Sequence, residues 1–439
     1  MDSKTGMHLG ADAPRGEAAS DVALRIPANR AHLPLIVLVM EHLRRGGVQQ
    51  ELALHAATYD RKRYRLAVVS LKQGDDVLAQ VQNCGVPVHF IAVHHPRDWD
   101  GLRTLAHWFV KNRPAIIHTF SYFANQVGRL AAAMAGVPVV VSYYVSLYSR
   151  HWDRRGLRLE RLLAPRTTAF VMNSEAVLQD FLRATRLKPP LTRVIHNGVD
   201  PTLFDEPLDP LAIRHSLGAD SDNIVICAVA RLVELKNIET LIEAAARVVT
   251  RVPAARFWLM GDGEERERLE QLAVEKRLGE RFLFVGMTDQ VPRYLRAADI
   301  LVSTSLVEGF PLNILEGMAA GLAVVATPAG GTAEAISDRQ DGRIFPFRDM
   351  GALSKILVEL CESPETRRRL GQAARRTVAE RFTAERWQRD TEALYAEILQ
   401  KKDPQLQAWR ALSYFKAAQR VRLRAKYWPW RVRLFYWGI

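Results

Sequence analysis

Two glutamates, Glu308 and Glu316, bracket a short segment, EGFPLNILE, that follows a predicted buried strand. Pro311 suits the first turn of a helix and Gly321 could end one, so we expect a helix from about 309–312 to 320. The free N–H groups and positive dipole end at its start would bind a phosphate. Glu308 would precede this helix, and Glu316 would lie about one and a half turns into it. Carboxylates do not bind an anion, so we expect these two to hold sugar hydroxyls.

A second group of candidate residues is a pair of cations, Arg231 and Lys236. They lie at the end of a predicted strand and just before a predicted amphipathic helix that would bury Ile238, Leu241 and Ile242. Placed opposite a helix start that favours phosphate, they would clamp a diphosphate without a metal ion. The alternative for all four charged residues is an ordinary solvated or helix-dipole position.

Glycines mark two further places. Gly46-Gly47 follows the first predicted strand, where the absence of a side chain would let the backbone approach a ligand closely. The pair lacks the G-x-G-x-x-G spacing of a dinucleotide fingerprint, which argues against a nicotinamide enzyme. We interpret Gly261-Asp262-Gly263 as a strand-to-helix turn, with ligand contact as the alternative.

The elements that must position these residues alternate between short apolar runs and longer stretches of helical period, which is typical of βαβ units on a mainly parallel sheet. We predict a linker at 196–210 between two sets of strands: 35–40, 66–71, 86–91, 115–120, 137–143 and 168–174, then 224–232, 255–261, 281–286, 299–305, 322–327 and 342–347. Two doubly wound domains would then face each other across a central cleft, where such folds bind ligands.

The chain therefore divides into five predicted parts. They are a disordered leader (1–33), a first Rossmann-like domain (34–200), a second Rossmann-like domain (201–382), a final helix that packs back toward the first domain (383–400) and a basic, aromatic tail (401–439). The predicted fold class is α/β with a C-terminal helical extension.

Six motifs in this order resemble those of GT-B glycosyltransferases of glycosyltransferase family 4, which are retaining enzymes that use a nucleotide diphosphate sugar. They are Gly46-Gly47, HNGVD at 196–200, the R-x4-K pair Arg231 and Lys236, the GDG turn at 261–263, the E-x7-E element of Glu308 and Glu316, and the helix ERFTAERWQRDTEALYAEIL at 380–399. The resemblance covers about residues 35–400 and implies the GT-B fold, with the acceptor on the first domain and the nucleotide sugar on the second.

The resemblance also implies roles for single residues. Arg231 and Lys236 would bind the donor diphosphate, helped by backbone at Gly47, Leu312 and Asn313. Such groups stabilise the departing nucleoside diphosphate, so neither a metal nor any cofactor besides the nucleotide sugar co-substrate is expected.

Glu316 would hold the ribose hydroxyls and Glu308 the transferred sugar, so Glu308, Arg231 and Lys236 are the predicted catalytic residues. In the retaining reaction as generally described for the family, the acceptor attacks from the front face and the leaving phosphate takes its proton. No enzyme nucleophile is then required.

The acceptor side departs from the family pattern. Many relatives carry His-x-His where this chain reads His118-Thr119-Phe120, and threonine-x-histidine where it reads Ser142-Tyr143-Tyr144. We predict that Tyr144 replaces the lost polar contact, with His118 as the second acceptor-side candidate. The alternative for His118 is a strand-end histidine that is hydrogen-bonded to backbone.

The net charge of +13, from 61 Lys and Arg against 48 Asp and Glu, is concentrated in the tail. Residues 401–439 hold ten cations and one acid, which leaves 51 cations against 47 acids in the first 400 residues. Tryptophans and tyrosines are mixed with these cations, which favours docking on an anionic membrane surface through 404–439. Packing of the tail on the body or on a partner protein is the alternative; nucleic acid is not expected, because the body is nearly neutral.

Neither a signal peptide nor an apolar run of about 18 residues is found, and three scattered cysteines indicate no disulfide framework or zinc site. We therefore predict a cytoplasmic protein, peripheral on the cytoplasmic face of the membrane. The predicted activity is that of a retaining hexosyltransferase in polysaccharide biosynthesis. Its donor would be a UDP-sugar, with GDP-mannose as the second candidate, and its acceptor lipid-linked or a polysaccharide. The alternatives are a nucleotide-sugar epimerase of the same fold and a catalytically silent GT-B scaffold.

Overall fold

The computed structural model describes residues 32–147, 154–412 and 416–422. The predicted leader, 1–33, lies outside the described residues except for its last two positions, as do residues 423–439 of the predicted tail. None of the helices in the described ranges is long and apolar enough to cross a membrane.

The first sheet has seven parallel strands: β1 (Leu35–Met40), β2 (Arg65–Ser70), β3 (Val88–Phe90), β4 (Ile116–Phe120), β5 (Val140–Tyr144), β6 (Ala169–Met172) and β7 (Thr192–Val194). Their order across the sheet is β3-β2-β1-β4-β5-β6-β7. The helices between them are α1 (Gly47–Thr58), α2 (Leu78–Asn83), α3 (Trp99–Asn112), α4 (Tyr122–Ala135), α5 (Arg154–Leu163) and α6 (Glu175–Thr185). The order reverses between β1 and β4, so helices cover both faces of the sheet.

The second sheet has six parallel strands: β8 (Ile224–Val229), β9 (Ala255–Met260), β10 (Phe282–Gly286), β11 (Ile300–Ser303), β12 (Ala323–Ala326) and β13 (Arg343–Ile344). Their order is β10-β9-β8-β11-β12-β13. Its helices are α7 (Pro210–Ser216), α8 (Ile238–Arg251), α9 (Arg266–Glu275), α10 (Val291–Ala297), α11 (Leu312–Ala319), α12 (Thr332–Ala335), α13 (Met350–Glu362) and α14 (Pro364–Arg381). The two parallel sheets confirm the predicted fold class.

Burial explains which strands the sequence predicted. β1 is fully buried and reads LIVLVM, because a strand covered on both faces needs apolar side chains throughout. β7 reads TRV, is only partly buried and lies at the edge of the sheet, so it has no apolar run and was not predicted. All twelve predicted strands are present.

The chain crosses between the two sheets twice, at 195–200 and at 382–384. The crossings pair with each other, since Val199 N donates to Phe382 O at 3.0 Å and Ala384 N donates to Val199 O at 2.9 Å. The crossing is thus shorter than the predicted linker, 196–210, because Pro201–Phe204 forms a 3-10 turn and α7 begins at Pro210. Next, α15 (Ala384–Lys401) packs on the first domain through Trp387, Tyr395 and Ile398.

The start of the predicted tail packs on the first domain. Leu406 and Trp409 of α16 (Asp403–Ala411) are buried, and Trp409 Nε1 donates to Pro114 O at 3.1 Å. Pro114 precedes β4, so α16 lies at the amino edge of the sheet, away from the carboxyl edge. The prediction that 404–439 as a whole faces a membrane is therefore wrong for these two apolar side chains, which are occupied by protein.

The helix at 416–422 also packs on the first domain. Ala417 and Val421 are buried in the apolar cluster that contains the side chains of α3, α4 and α5. Next to that cluster α4 is buried from Ala124 to Ala135, and its buried polar side chains Asn125 and Arg129 are hydrogen-bonded to Tyr143 O and Glu160. Residues 401–412 and 416–422 therefore pack as part of the folded body, and residues 423–439 of the predicted tail lie outside the described residues.

Candidate functional site

The central contact of the site joins two of the predicted residues. Lys236 Nζ lies 2.5 Å from Glu308 Oε1, and the two side chains are only 19% and 12% exposed. Lys236 ends the 3-10 turn Glu234–Lys236 after β8, and Glu308 lies in the loop after β11. Because β8 and β11 are neighbours in the sheet, the loops at their carboxyl ends meet. A partly desolvated cation and carboxylate are thus held side by side at the cleft.

A tight backbone approach fixes the Glu308 loop. Gly330 has φ +51°, and a Cβ on it would lie 1.9 Å from Glu308 O, so only glycine fits beneath this loop. Gly331 N also donates to Gly309 O at 2.8 Å. The GG pair at 330–331 therefore holds the backbone of the loop that carries Glu308, a role that the sequence did not suggest for it.

Arg231 is exposed at the cleft, on the segment that follows β8. Its neighbour Leu232 N donates to Asp262 O at 2.9 Å, so the GDG turn at 261–263 supports the backbone next to Arg231. This fits the interpretation of GDG as a strand-to-helix turn that acts on the site through the backbone.

Two helix N-termini meet across the cleft. α11 begins at Leu312 after Pro311, and α1 of the first domain begins at Gly47. A Cβ on Gly47 would lie 3.1 Å from Leu312 Cδ1, so the two helix starts are in contact. Neither has a side-chain cap, and their free N–H groups and positive dipole ends favour an anion between them. Asn313 belongs to this arrangement through its side chain, because Nδ2 donates to Val229 O at 2.9 Å.

Glu316 lies one turn further along α11 and is partly buried. Desolvation raises the pKa of its carboxyl to about 7. No hydrogen bond to its carboxylate is found among the described residues, so its oxygens can accept hydroxyl donors from a ligand.

The structure does not bring the two acceptor-side candidates to the cleft. His118 is 2% exposed, and its Nδ1 lies 2.6 Å from the hydroxyl of Tyr395 on α15. Tyr144 is fully buried and donates to Glu160 Oε1 at 2.9 Å. Both residues lie within strands, where side chains point into the helix layers above and below the sheet. The prediction that they contact the acceptor is wrong for this structure, and so is the backbone partner given as the alternative for His118.

Two residues on the first-domain side of the cleft were missed by the sequence analysis. His42 lies two residues after β1 and Ser121 directly follows β4, so both lie at the carboxyl edge of the sheet. The pKa of His42 is lowered, mainly by burial; Glu41 raises it, while nearby cations, Arg231 of the second domain among them, lower it. Ser121 has φ 77°, and its buried Oγ has no partner among the described atoms. Their position just after an apolar run was the available signal.

A set of hydrogen bonds between the domains holds the Glu308 loop against the first domain. The buried Ser174 Oγ donates to Gly309 O at 2.9 Å. Glu334 accepts from the backbone N–H groups of Glu175 and Ala176, both at 2.9 Å, and lies 2.8 Å from His196 Nε2. These bonds lower the pKa of Glu334 despite its partial burial.

The arrangement suits a ligand with a diphosphate and hydroxyl groups. Cations and helix N-termini supply the anion site, while Glu308 and Glu316 supply acceptors for hydroxyls. Within 32–147, 154–412 and 416–422, no group of three His, Cys, Asp or Glu side chains could hold a metal ion.

Comparisons with known proteins agree with this geometry. The family model of glycosyl transferases group 1 matches residues 211–377, and that of Glycosyltransferase Family 4 matches residues 45–203. A D-inositol 3-phosphate glycosyltransferase of Saccharomonospora viridis is 31% identical over 300 residues, which are 64% of this chain and 68% of that protein. The UDP-Gal:alpha-D-GlcNAc-diphosphoundecaprenol alpha-1,3-galactosyltransferase of Escherichia coli is 28% identical over 275 residues, 61% of this chain and 71% of that protein.

Solved structures show the same fold. HepE of Anabaena in complex with UDP-glucose has a TM-score of 0.73 at 25% identity, over 82% of this chain and 99% of that one. Sucrose-phosphate synthase of Thermosynechococcus elongatus has a TM-score of 0.70 at 23% identity, over 84% of this chain and 100% of that one. The chain belongs to the GT-B glycosyltransferases of the family 4 type.

Proposed function

We propose that the protein is a retaining hexosyltransferase that moves a sugar from a nucleotide diphosphate to an acceptor at a membrane surface. The observation that carries this proposal is the Lys236–Glu308 pair beside the facing starts of α1 and α11. This site combines a cation, a carboxylate and two positive helix ends. The positive groups suit a diphosphate and the carboxylate suits sugar hydroxyls, so the site fits a sugar diphosphate better than a free sugar or a free diphosphate.

In the proposed reaction, the bond between the sugar C1 and the diphosphate oxygen breaks as the acceptor oxygen bonds to C1 from the same face. Arg231, Lys236 and the N–H groups at Gly47, Leu312 and Asn313 stabilise the charge that develops on the leaving diphosphate. The acceptor proton passes to a leaving phosphate oxygen. Glu308 orients the sugar and Glu316 the ribose, and no metal ion takes part.

The donor that we favour is a UDP-sugar, with GDP-mannose as the second candidate. HepE was solved with UDP-glucose, and the Escherichia coli relative is named for a UDP-Gal donor and a diphosphoundecaprenol-linked sugar. These names support a UDP-sugar and a lipid-linked acceptor here, with a growing polysaccharide as the other acceptor class. We place the reaction on the cytoplasmic face of the membrane.

Incubation with UDP-glucose, UDP-galactose, UDP-N-acetylglucosamine and GDP-mannose tests the activity, with release of the nucleoside diphosphate as the readout. We expect one UDP-sugar to be turned over faster in the presence of a lipid-linked acceptor, and Glu308→Gln to abolish the reaction. An epimerised nucleotide sugar formed without acceptor would instead identify an epimerase. If the folded protein turned over none of these donors, the catalytically silent GT-B scaffold would be the remaining alternative.

The packing of α16 and of the helix at 416–422 decides which truncation can test membrane docking by the tail. A chain that ends at Gln400 would lose Trp409, Ala417 and Val421 and so expose part of the apolar cluster that they share with α3, α4 and α5. The informative truncation therefore ends at Arg422 and removes only 423–439. We expect this truncated chain to sediment with anionic vesicles less than the full chain does. Equal sedimentation would show that residues 423–439 do not contribute to membrane docking.

A further inference from the structure

A row of arginines runs along the outer side of α5. Arg154, Arg158 and Arg161 follow each other at intervals of four and three residues, so they share one face of the helix, and all three are exposed. The opposite side of α5 is apolar and buried, through Leu159 and Leu163. α5 is thus attached by one face and presents cations on the other.

A second group of cations lies on the helix at 416–422. Ala417 and Val421 are buried in the same apolar cluster as Leu159 and Leu163. Lys416, Arg420 and Arg422 are exposed. Because both helices pack on this cluster, their cations lie on the same side of the first domain. We call these six residues, Arg154, Arg158, Arg161, Lys416, Arg420 and Arg422, the basic face.

Little negative charge offsets this surface. No acidic side chain forms an ion pair with Arg154, Arg158, Arg420 or Arg422 among the residues that the structure describes. The one acid in α5, Glu160, is buried and paired with Arg129. On α6, which contacts α5, Asp180 is buried and Glu175 Oε1 accepts from Gln179 Nε2 at 2.6 Å. The field of the basic face therefore reaches solvent with little compensation.

The basic face extends between the two edges of the first domain. α5 comes after β5, so its start lies toward the carboxyl edge and the cleft, and its end leads to the start of β6 at the opposite edge. The helix at 416–422 leads directly into 423–439, a segment with four cations and three tryptophans. A flat anionic surface that contacts the whole face would thus also come close to the opening of the cleft.

We propose that the basic face is the surface by which the first domain lies on an anionic lipid bilayer, with α5 as a docking element in addition to the tail. The role of this surface rests on the proposed function, because docking would bring the cleft close to a lipid-linked acceptor. Its physical basis is independent of the reaction: each basic residue near such a surface strengthens binding about fivefold at physiological salt.

The test uses the full chain and vesicles of phosphatidylcholine with or without phosphatidylglycerol. The variant Arg154→Gln/Arg158→Gln removes two charges from α5, and Arg420→Gln/Arg422→Gln removes two from the C-terminal helix. The matched control is Arg368→Gln/Arg376→Gln, which removes two exposed charges from α14 of the second domain. We expect each basic-face variant to bind phosphatidylglycerol vesicles at least about tenfold more weakly than the control does, and no binding to phosphatidylcholine alone.

Wild-type binding by the α5 variant would overturn the proposal, as would tighter binding of the wild-type chain to single-stranded RNA than to the anionic vesicles. Thermal melting shows that each variant is folded. Two further readouts separate this inference from the proposed function. Turnover of a soluble donor should be unchanged in the α5 variant, whereas Glu308→Gln should lose turnover and still bind vesicles. Wild-type vesicle binding by the α5 variant together with an inactive Glu308→Gln rejects only the basic face. Full turnover by Glu308→Gln together with weakened vesicle binding by the α5 variant rejects only the proposed chemistry.

Discussion

Polar residues behave differently at the cleft and inside the first domain. Lys236 and Glu308 face each other at the carboxyl ends of β8 and β11, partly open to solvent. His118 and Tyr144, which the sequence also suggested for the site, are buried and hydrogen-bonded to Tyr395 and Glu160. The first pair can meet a ligand, whereas the second pair already has protein partners.

The difference comes from where each residue lies relative to the end of its strand. Residues that follow a strand at the carboxyl edge enter the cleft, which is where doubly wound folds bind ligands. Residues inside a strand point into the layers above and below the sheet. Chemical type alone does not separate the two groups.

Two glutamates show the same contrast. Burial raises the pKa of Glu316 to about 7 and that of Glu51, on α1, to about 8. Glu316 lies one turn from the N-terminus of α11, where we propose the anion site, but both oxygens of Glu51 are buried without a partner among the described atoms. A raised pKa therefore marks a functional carboxylate only where the geometry offers it a ligand.

The largest effect is expected at the cleft. Glu308→Gln removes the negative charge beside Lys236 and one acceptor for the sugar, so we predict a loss of kcat by about a thousandfold or more, comparable to the removal of a strong transition-state contact. Thermal stability should stay close to that of the wild type. Initial-rate measurements with the active donor check this, with exposed Glu280→Gln as the control. A loss of less than tenfold would break the assignment.

Inside the first domain we predict a loss of stability without a loss of activity. Tyr395→Phe removes the hydroxyl that lies 2.6 Å from His118 Nδ1 and leaves a buried imidazole without its partner, which should cost about 1–3 kcal/mol of stability. Denaturant unfolding measures that cost, and kcat/KM of the folded protein should be unchanged. A double-mutant cycle with His118→Phe isolates the contact. Unchanged stability with reduced turnover would return His118 to the active site.

Glu51 predicts a pH dependence of stability. The folded state holds its proton up to a pKa of about 8, whereas the unfolded state loses it near the ordinary glutamate value. Stability should therefore fall as pH rises between these values, by up to about 1.4 kcal/mol per pH unit, and level off above pH 8. Glu51→Gln should remove this component of the slope. Thermal melting of the wild type and of Glu51→Gln from pH 5 to 9 measures this difference. The same dependence of stability on pH in both proteins would contradict the buried, unpaired carboxyl.

For Glu316 we predict a smaller effect, a dependence of donor affinity on pH. Ribose hydroxyls donate better to the ionised carboxylate, whose pKa is about 7 without ligand, so donor binding should strengthen as pH rises. We expect about a tenfold change in donor affinity between pH 6 and 8, because the ionised fraction changes by that factor. Glu316→Gln should bind more weakly with a flatter profile. A wild-type affinity that is constant over this range would argue against the ribose contact.

The sequence predicted most of the fold because both sheets are buried on two faces and their strands are apolar runs. It missed β7, an edge strand that lacks such a run. The predicted donor residues lie at or beside the cleft, since their motifs follow strand ends. The burial of His118 could not be foreseen, because its partner Tyr395 lies on α15, 277 residues further along the chain.

The central claim is that Lys236 and its neighbours form a diphosphate site, and calorimetric titration with UDP tests it most directly. Lys236→Ala removes the cation beside Glu308, while Lys355→Ala removes an exposed cation from α13 of the same domain as the control. We predict that UDP binds the wild type and the control equally and binds Lys236→Ala at least about tenfold more weakly, as expected for loss of a charge-assisted hydrogen bond. Equal affinity for all three proteins would contradict the account.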